Sequence, residues 1–219
     1  KNRLAVTPMS RVSATSEGVP TGNMQTYYEA FALGGFSMII TEGVYTDHAA
    51  AQAYPLQPGL VTAAQQQGWK TITERGQQHG AIIIAQLMHA RAISQHLSDT
   101  LAPSAVQPLG NKMPEYGGGE GAFPLPHAMT AADIAIAKQG FVQSALQAYA
   151  AGFNGVELHA ANGYLLDQFL TDYTNTRTDQ YGGNVVNRVR LINELIDEIR
   201  AVAPADFIIG LRLSQGKVN

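Results

Sequence analysis

The chain has 219 residues, of which 45% are hydrophobic and 14% charged, and its formal net charge is −3. This composition predicts a globular domain and excludes an extensively disordered chain, which needs fewer apolar residues and more charge. The weakly acidic balance gives no basic surface for nucleic acid, and no apolar run approaches the ~18 residues that a membrane-spanning helix needs. The absence of cysteine excludes disulfides and a cysteine nucleophile and is compatible with a reducing compartment. We therefore expect a cytoplasmic protein that has neither nucleic acid nor a membrane as a partner.

Strand-like and helix-like segments alternate along the chain. The predicted strands are short apolar runs at residues 4–7, 37–41, 81–87, 154–159 and 207–213. The predicted helices cover about 23–33 and 62–79, then run from a capping box at Thr130 and Asp133 to Gly152, and finally from residue 185 to the stop at Pro204. In the last helix, apolar residues recur at steps of four and three and should form one buried face, which holds Val185, Val189, Ile192, Ile196 and Ile199.

Five strands separated by helices predict βαβ units and a parallel sheet in a single domain. One long connection interrupts the pattern, because residues 94–129 contain several prolines and a triple glycine without a regular period. A connection of this length inside a compact domain is usually functional or disordered. Since it follows a strand, we expect it to lie over the C-terminal end of that strand.

Polar residues adjoin the ends of four predicted strands, namely Thr41 and Glu42, Gln86, His159, and Arg212. Side chains alternate along a strand, so Glu157 shares a face with His159. Parallel strands present their C-terminal ends on one side, and the resulting rim holds the active site in α/β barrels and doubly wound sheets. We therefore expect these groups to converge, although polar residues also mark where strands simply reach the surface.

Arg212 directly continues an apolar run, which predicts partial burial of its guanidinium group. A buried guanidinium without a partner costs several kcal/mol, so an electron-rich group must lie beside it. Either a carboxylate of this chain or a bound cofactor satisfies that requirement.

The segment from His159 to Tyr164 places an imidazole, a carboxamide and a phenol within six residues of each other, directly after a strand. His159 and Asn162 can both donate hydrogen bonds to one developing oxyanion, and Tyr164 can donate a proton. The alternative interpretation is an Asn-Gly turn with a packed tyrosine and a surface histidine. The sequence contains no P-loop, no serine-nucleophile elbow and no metal-ligand spacing.

Several stretches of the chain, in order, carry a family resemblance. They are Thr7-Pro8-Met9-Ser10-Arg11, Ile39-Ile40-Thr41-Glu42-Gly43, Ala85-Gln86-Leu87-Met88-His89, Gly155-Val156-Glu157-Leu158-His159, Asn162-Gly163-Tyr164-Leu165-Leu166-Asp167, Asn175-Thr176-Arg177-Thr178-Asp179 and Tyr181-Gly182-Gly183. Together they resemble the Old Yellow Enzyme family of flavin-dependent ene-reductases. The resemblance implies a (β/α)8 TIM barrel with FMN bound non-covalently across its C-terminal mouth.

The resemblance also implies a two-step reaction. NADPH or NADH would reduce the flavin, which would then give hydride to an activated alkene, either an α,β-unsaturated carbonyl compound or a nitro compound. By position, His159 and Asn162 would hold the substrate's carbonyl or nitro oxygen, and Tyr164 would protonate its α-carbon.

The flavin-binding residues implied in the same way are Pro8, Met9, Ser10, Gly43, Gln86 and Arg212. Gln86 and Arg212 would bind the pyrimidine edge of the flavin, where a cation stabilises the reduced anion. The flavin would then be the partner that Arg212 needs.

Three positions depart from the family pattern. Met88 stands where many members have tryptophan, and Ser10 stands where threonine or cysteine is frequent. Arg91 occupies a position where glycine is expected, and a long cation there would obstruct the site or contact the substrate.

The family's barrel needs three further strands, including the elements that hold the FMN phosphate. We therefore expect five-eighths of a barrel, belonging to a longer chain or forming a fragment that is unstable alone. The alternatives are another FMN-barrel oxidoreductase with a different substrate, or an inactive half-barrel that acts as a binding or assembly module. A homo-oligomer is compatible with each of these interpretations.

Overall fold

The computed structural model describes residues 2–46 and 50–216. Within these ranges the strands are β1 (Ala5–Val6), β2 (Met38–Tyr45), β3 (Ile82–Met88), β4 (Leu101–Ala102), β5 (His127–Ala128), β6 (Gly155–Ala160) and β7 (Ile208–Leu213). The helices are α1 (Gly22–Leu33), α2 (Ala63–Gln78), α3 (Ala131–Ala150), α4 (Leu165–Leu170), α5 (Val185–Arg188) and α6 (Arg190–Val202).

The main sheet has five parallel strands in the order β1-β2-β3-β6-β7. This arrangement confirms the predicted parallel sheet, because all five predicted strands form and lie beside their neighbours in chain order. In the described residues β7 borders no further strand, and its apolar side chains Ile208, Leu211 and Leu213 are exposed.

Side chains of the central strands point alternately to the two faces of the sheet, so one face packs in the hydrophobic core and the other lines a polar pocket. On β3, Ile83, Ala85 and Leu87 belong to the core that packs against the helices. The intervening Gln86 and Met88 lie on the opposite face of the sheet and line the pocket. The core thus fixes the sheet, and the sheet in turn positions the pocket residues.

An irregularity in β2 changes the direction of its side chains. The pairing with β3 shifts between Ile40 and Gly43, which is a β-bulge, and the strand continues past the predicted end at Thr41. Bulges bend a strand and redirect the side chains around them. As a result Glu42 points away from the rim, where its carboxylate accepts hydrogen bonds from the Tyr28 hydroxyl (3.2 Å) and the Arg11 backbone N–H (2.9 Å). The expectation that Glu42 joins the rim residues is therefore wrong.

The helices follow the sequence pattern with one exception. At the start of α3 the Thr130 hydroxyl accepts from the Asp133 N–H (3.2 Å), and the Asp133 carboxylate accepts from the Thr130 N–H (2.8 Å), which confirms the capping box. The last predicted helix is divided at Val189 into α5 and α6, since Asn184 caps a separate short helix. Val185 is 61% exposed, so its assignment to the buried face is wrong.

The long connection at 94–129 contains structure that the sequence pattern did not indicate. Within it β4 and β5 pair in parallel and a 3-10 turn lies at Pro114–Tyr116, while another 3-10 turn, Arg91–Ile93, directly precedes it. Arg177 donates from Nη1 to the carbonyl oxygens of Pro103 (2.9 Å) and Met129 (2.6 Å), so one guanidinium holds both ends of the connection. Among the described residues, none of the helices combines the length and apolar character needed to cross a membrane.

Candidate active site

A polar cavity of about 450 Å³ opens at the C-terminal ends of the main-sheet strands. Its lining consists of Thr7, Pro8, Ser10, Gly43, Tyr54, Gln86, Met88, Tyr116, His159, Asn162, Tyr164 and Arg212. Eight of the nine residues predicted for the site lie in this lining. Met9 does not, and it is 41% exposed.

Glu157 connects the two residues predicted to bind a flavin edge. Its Oε1 accepts from Gln86 Nε2 (2.8 Å) and from Arg212 Nε (2.8 Å), and its Oε2 accepts from Arg212 Nη2 (3.2 Å). A carboxylate of this chain is therefore a partner of Arg212, which is the first of the two alternatives that the sequence left open. Among the described residues, the side-chain amide oxygen of Gln86 and Arg212 Nη1 take no part in these bonds to Glu157, so an acceptor and a donor group are available to a ligand.

His159 is buried, with 4% of its surface exposed. Burial, together with the charge of Arg212, lowers the pKa of His159 from 6.5 to about 4. The imidazole is therefore neutral at physiological pH, and it can donate one hydrogen bond without introducing a second positive charge beside Arg212. The ring lies 4.9 Å from the Tyr164 ring, measured between centroids.

A tight turn separates His159 from Tyr164. Asn162 and Gly163 have φ values of +60° and +77°, and the Tyr164 N–H donates to the Ala161 carbonyl (3.3 Å). Asparagine and glycine are the residues that adopt this left-handed conformation most readily. The structure thus contains the Asn-Gly turn and packed tyrosine of the alternative interpretation, but the histidine that precedes them is buried rather than at the surface.

Two tyrosines that the sequence pattern did not single out complete the pocket. The Tyr54 and Tyr164 hydroxyls lie 2.6 Å apart, and the Tyr116 ring packs on the Tyr54 ring at 4.6 Å between centroids. Both Tyr54 and Tyr116 come from connections between elements, where side-chain alternation predicts nothing. Tyr116 brings the long connection over the pocket.

Arg91 does not belong to the pocket lining. Its φ is +44°, which explains why glycine is the expected residue at this position. Burial is the larger cause that lowers the pKa of His89, and the charge of Arg91 is the smaller one. The charge of Arg91 is also the smallest of the causes that lower the pKa of Asp133, at the start of α3. The expectation that Arg91 obstructs the site is therefore wrong.

The pocket brings together hydrogen-bond donors and a phenol that can donate a proton. The neutral His159 and Asn162 can donate to a substrate oxygen, and the Tyr164 phenol can release a proton. No group of three metal-ligating side chains occurs within 2–46 and 50–216.

Comparisons with known proteins identify the family of the chain. A family model described as the NADH:flavin oxidoreductase / NADH oxidase family matches residues 1–219. A probable flavin mononucleotide-dependent alkene reductase of Leishmania infantum is 34% identical over 221 residues, covering 97% of this chain and 60% of the relative. Putative 12-oxophytodienoate reductase 6 of Oryza sativa subsp. japonica is 36% identical over 220 residues, covering 97% of this chain and 53% of the relative.

Solved structures that resemble this chain come from the same family. The Old Yellow Enzyme homologue from Zymomonas mobilis superposes with a TM-score of 0.87 at 33% identity, covering 97% of this chain and 59% of that protein. Morphinone reductase in complex with tetrahydroNAD superposes with a TM-score of 0.85 at 34% identity, covering 97% of this chain and 60% of that protein. These matches confirm the predicted partial (β/α)8 barrel. The chain spans about half to three-fifths of the length of the relatives it matches.

Proposed function

The chain belongs to the Old Yellow Enzyme family of NADH:flavin oxidoreductases, and from this membership we propose that it carries the catalytic pocket of an FMN-dependent ene-reductase. The reaction takes hydride from NADH or NADPH and reduces the activated C=C bond of an α,β-unsaturated carbonyl or nitro compound. The observation that carries the proposal is the meeting of His159, Asn162 and Tyr164 with the Gln86–Arg212 edge in one cavity.

The residues of the cavity fit the ring system of FMN. The pyrimidine edge of a flavin needs an acceptor for its N3–H and donors for its carbonyl oxygens and N1. Glu157 leaves the Gln86 carbonyl oxygen and Arg212 Nη1 for these two tasks. Pro8 and Ser10 would lie against the ring, Gly43 would contribute backbone, and Met9 would contribute no side-chain contact. When bound, the flavin supplies the hydride chemistry.

The same lining offers little for the phosphate of FMN. Within the described residues it contains one arginine, Arg212, which is already paired with Glu157, and it contains no lysine. We therefore propose that this cavity holds the ring, and that the phosphate is bound by groups outside its lining.

On the substrate side, different residues of the chain bind the oxygen and donate the proton. His159 and Asn162 hold the carbonyl or nitro oxygen and stabilise the negative charge that develops on it. Burial and the neighbouring Tyr54 and Tyr116 raise the pKa of Tyr164 well above 10. Tyr164 therefore stays protonated at physiological pH and is available to deliver its proton to the α-carbon.

The experiment that tests this function begins with FMN. The purified chain is titrated with FMN while flavin fluorescence is followed, then mixed anaerobically with NADH or NADPH and finally with 2-cyclohexen-1-one. We expect saturable FMN uptake, bleaching of the flavin by the nicotinamide and reoxidation by the enone. A chain that stays colourless favours the inactive-module alternative, and a flavin that is reduced but not reoxidised by any activated alkene favours another substrate class.

A further inference from the structure

The hydroxyl groups of Tyr54 and Tyr164 form a short contact of 2.6 Å inside the pocket. Both side chains are buried, together with Met88, in a small cluster separate from the main core. Among the described residues, this is the hydrogen bond made by the Tyr164 hydroxyl. Tyr164 thus has one protein group with which it can exchange a proton directly.

The position of Tyr54 is fixed on both sides. The Ala53 N–H donates to Gln57 Oε1 (2.7 Å), and the Ala53 carbonyl accepts from the Gln95 N–H (2.8 Å). On its other side the Tyr54 ring packs against Tyr116, which is half-buried at the mouth of the pocket. Tyr54 therefore lies between Tyr164 and the half-buried Tyr116.

We propose that Tyr54 returns a proton to Tyr164 after each reduction, a role that rests on the proposed function above. Tyr164 gives its hydroxyl proton to the substrate α-carbon and becomes a phenolate. The Tyr54 O–H bond then breaks, and its proton forms the new O–H bond on Tyr164. Tyr54 in turn takes a proton from water at the mouth of the pocket. One proton leaves and one enters in each cycle, and no electrons move in this step.

The difference in environment favours this direction of transfer. Burial raises the pKa of both phenols, and the hydrogen bond between them adds to the rise for Tyr164 while it reduces the rise for Tyr54. A phenolate on Tyr164 is therefore the stronger base and takes the proton from Tyr54. The other titratable groups facing the pair are Tyr116 and His159, and His159 is neutral at physiological pH.

The test compares Tyr54→Phe with Tyr173→Phe, which removes an exposed phenol outside the pocket. With FMN bound, reduction of the flavin by the nicotinamide should stay within about twofold of the unmodified chain. The first reoxidation by 2-cyclohexen-1-one should also be little changed in Tyr54→Phe, because Tyr164 enters it protonated. Later turnovers should slow about tenfold or more, with a larger solvent deuterium isotope effect, because Tyr164 must be reprotonated.

Two outcomes would overturn the proposal. If Tyr54→Phe behaves like Tyr173→Phe in steady state, Tyr54 carries no proton. If the first and later turnovers slow equally, Tyr54 only shapes the pocket.

A second measurement needs neither FMN nor turnover. The exchange rate of the Tyr164 hydroxyl proton is read from the deuterium isotope shift of its ¹³Cζ resonance in the 219-residue chain. A relay through Tyr54 predicts slower exchange in Tyr54→Phe, by about tenfold, and unchanged or faster exchange contradicts it. A chain that binds FMN but reduces no alkene would contradict the proposed function, while this exchange measurement would still decide the role of Tyr54.

Discussion

Glu157 on β6 and Arg212 on β7 form a diagonal pair across neighbouring strands. The residue directly opposite Glu157 is Gly210, and Arg212 is opposite His159, so the guanidinium reaches back by two positions to the carboxylate. Such diagonal neighbours on one face of a sheet are within reach of long side chains. The pair fixes which nitrogen of Arg212 faces the pocket.

Replacing Glu157 with alanine should destabilise the fold and weaken FMN binding. The change leaves a partly buried guanidinium without its carboxylate and removes the acceptor of Gln86. Full burial would cost several kcal/mol, but Arg212 is one-third exposed, so we expect a loss of about 1–2 kcal/mol in the free energy of unfolding. Urea unfolding measures it, with Glu198→Gln in the exposed pair with Lys138 as the control. A Glu157→Ala variant as stable as the control would show that the pair contributes nothing.

Tyr164→Phe should separate the two half-reactions. The ring is kept but the proton donor is lost, so reduction of 2-cyclohexen-1-one should fall by roughly 10²- to 10⁴-fold. Reduction of the flavin by the nicotinamide needs no proton from Tyr164 and should persist. Stopped-flow absorbance of the flavin follows both steps, with Tyr173→Phe as the matched control. Unchanged alkene turnover would exclude Tyr164 as the proton donor.

The stability of the fold should decrease between pH 6.5 and about pH 4. His159 has its pKa lowered to about 4 in the folded chain, so the unfolded chain binds more protons in this interval and unfolding becomes easier as the pH falls. The difference amounts to about 3 kcal/mol at most. His89, whose pKa is also lowered well below 6.5, acts in the same direction.

Urea unfolding at a series of pH values measures this dependence. His159→Gln should reduce the slope but not abolish it, because His89 remains. The exposed His127→Gln serves as the control. A pH dependence that is identical in the unmodified chain and in His159→Gln would contradict the assignment of a buried neutral imidazole.

Gly43→Ala should disturb the pocket wall. A Cβ at this position would collide with the Sδ of Met88, although the Met88 side chain can move. We expect a loss of about 1–3 kcal/mol in unfolding free energy, typical of overpacking, together with weaker FMN uptake. Gly22→Ala is the control, since a Cβ there meets no atom within 4 Å. Equal stability of the two variants would mean that Gly43 is not required by close packing.

Much of the fold could be predicted from local sequence because its causes are local. The capping box at Thr130 needs only two residues three positions apart, and the strand of Ile83 needs only an apolar run. The division of the last helix at Val189 could not be predicted, because the spacing of apolar residues continues across it while the Asn184 cap begins a separate turn. The bulge in β2 could not be predicted from the sequence either, since it depends on pairing with β3.

In the site, too, some features follow from local sequence and others depend on contacts between distant segments. By itself the sequence determined which strand ends carry His159, Gln86 and Arg212, because alternation along a strand is a property of the backbone. It also offered, as an alternative interpretation, the Asn-Gly turn that precedes Tyr164. Only the tertiary structure decided that Glu157 is the partner of Arg212 and that Tyr54 lies against Tyr164. The reason is that each of these contacts joins segments far apart in the chain, and their approach depends on how the strands register and how the connections close over them.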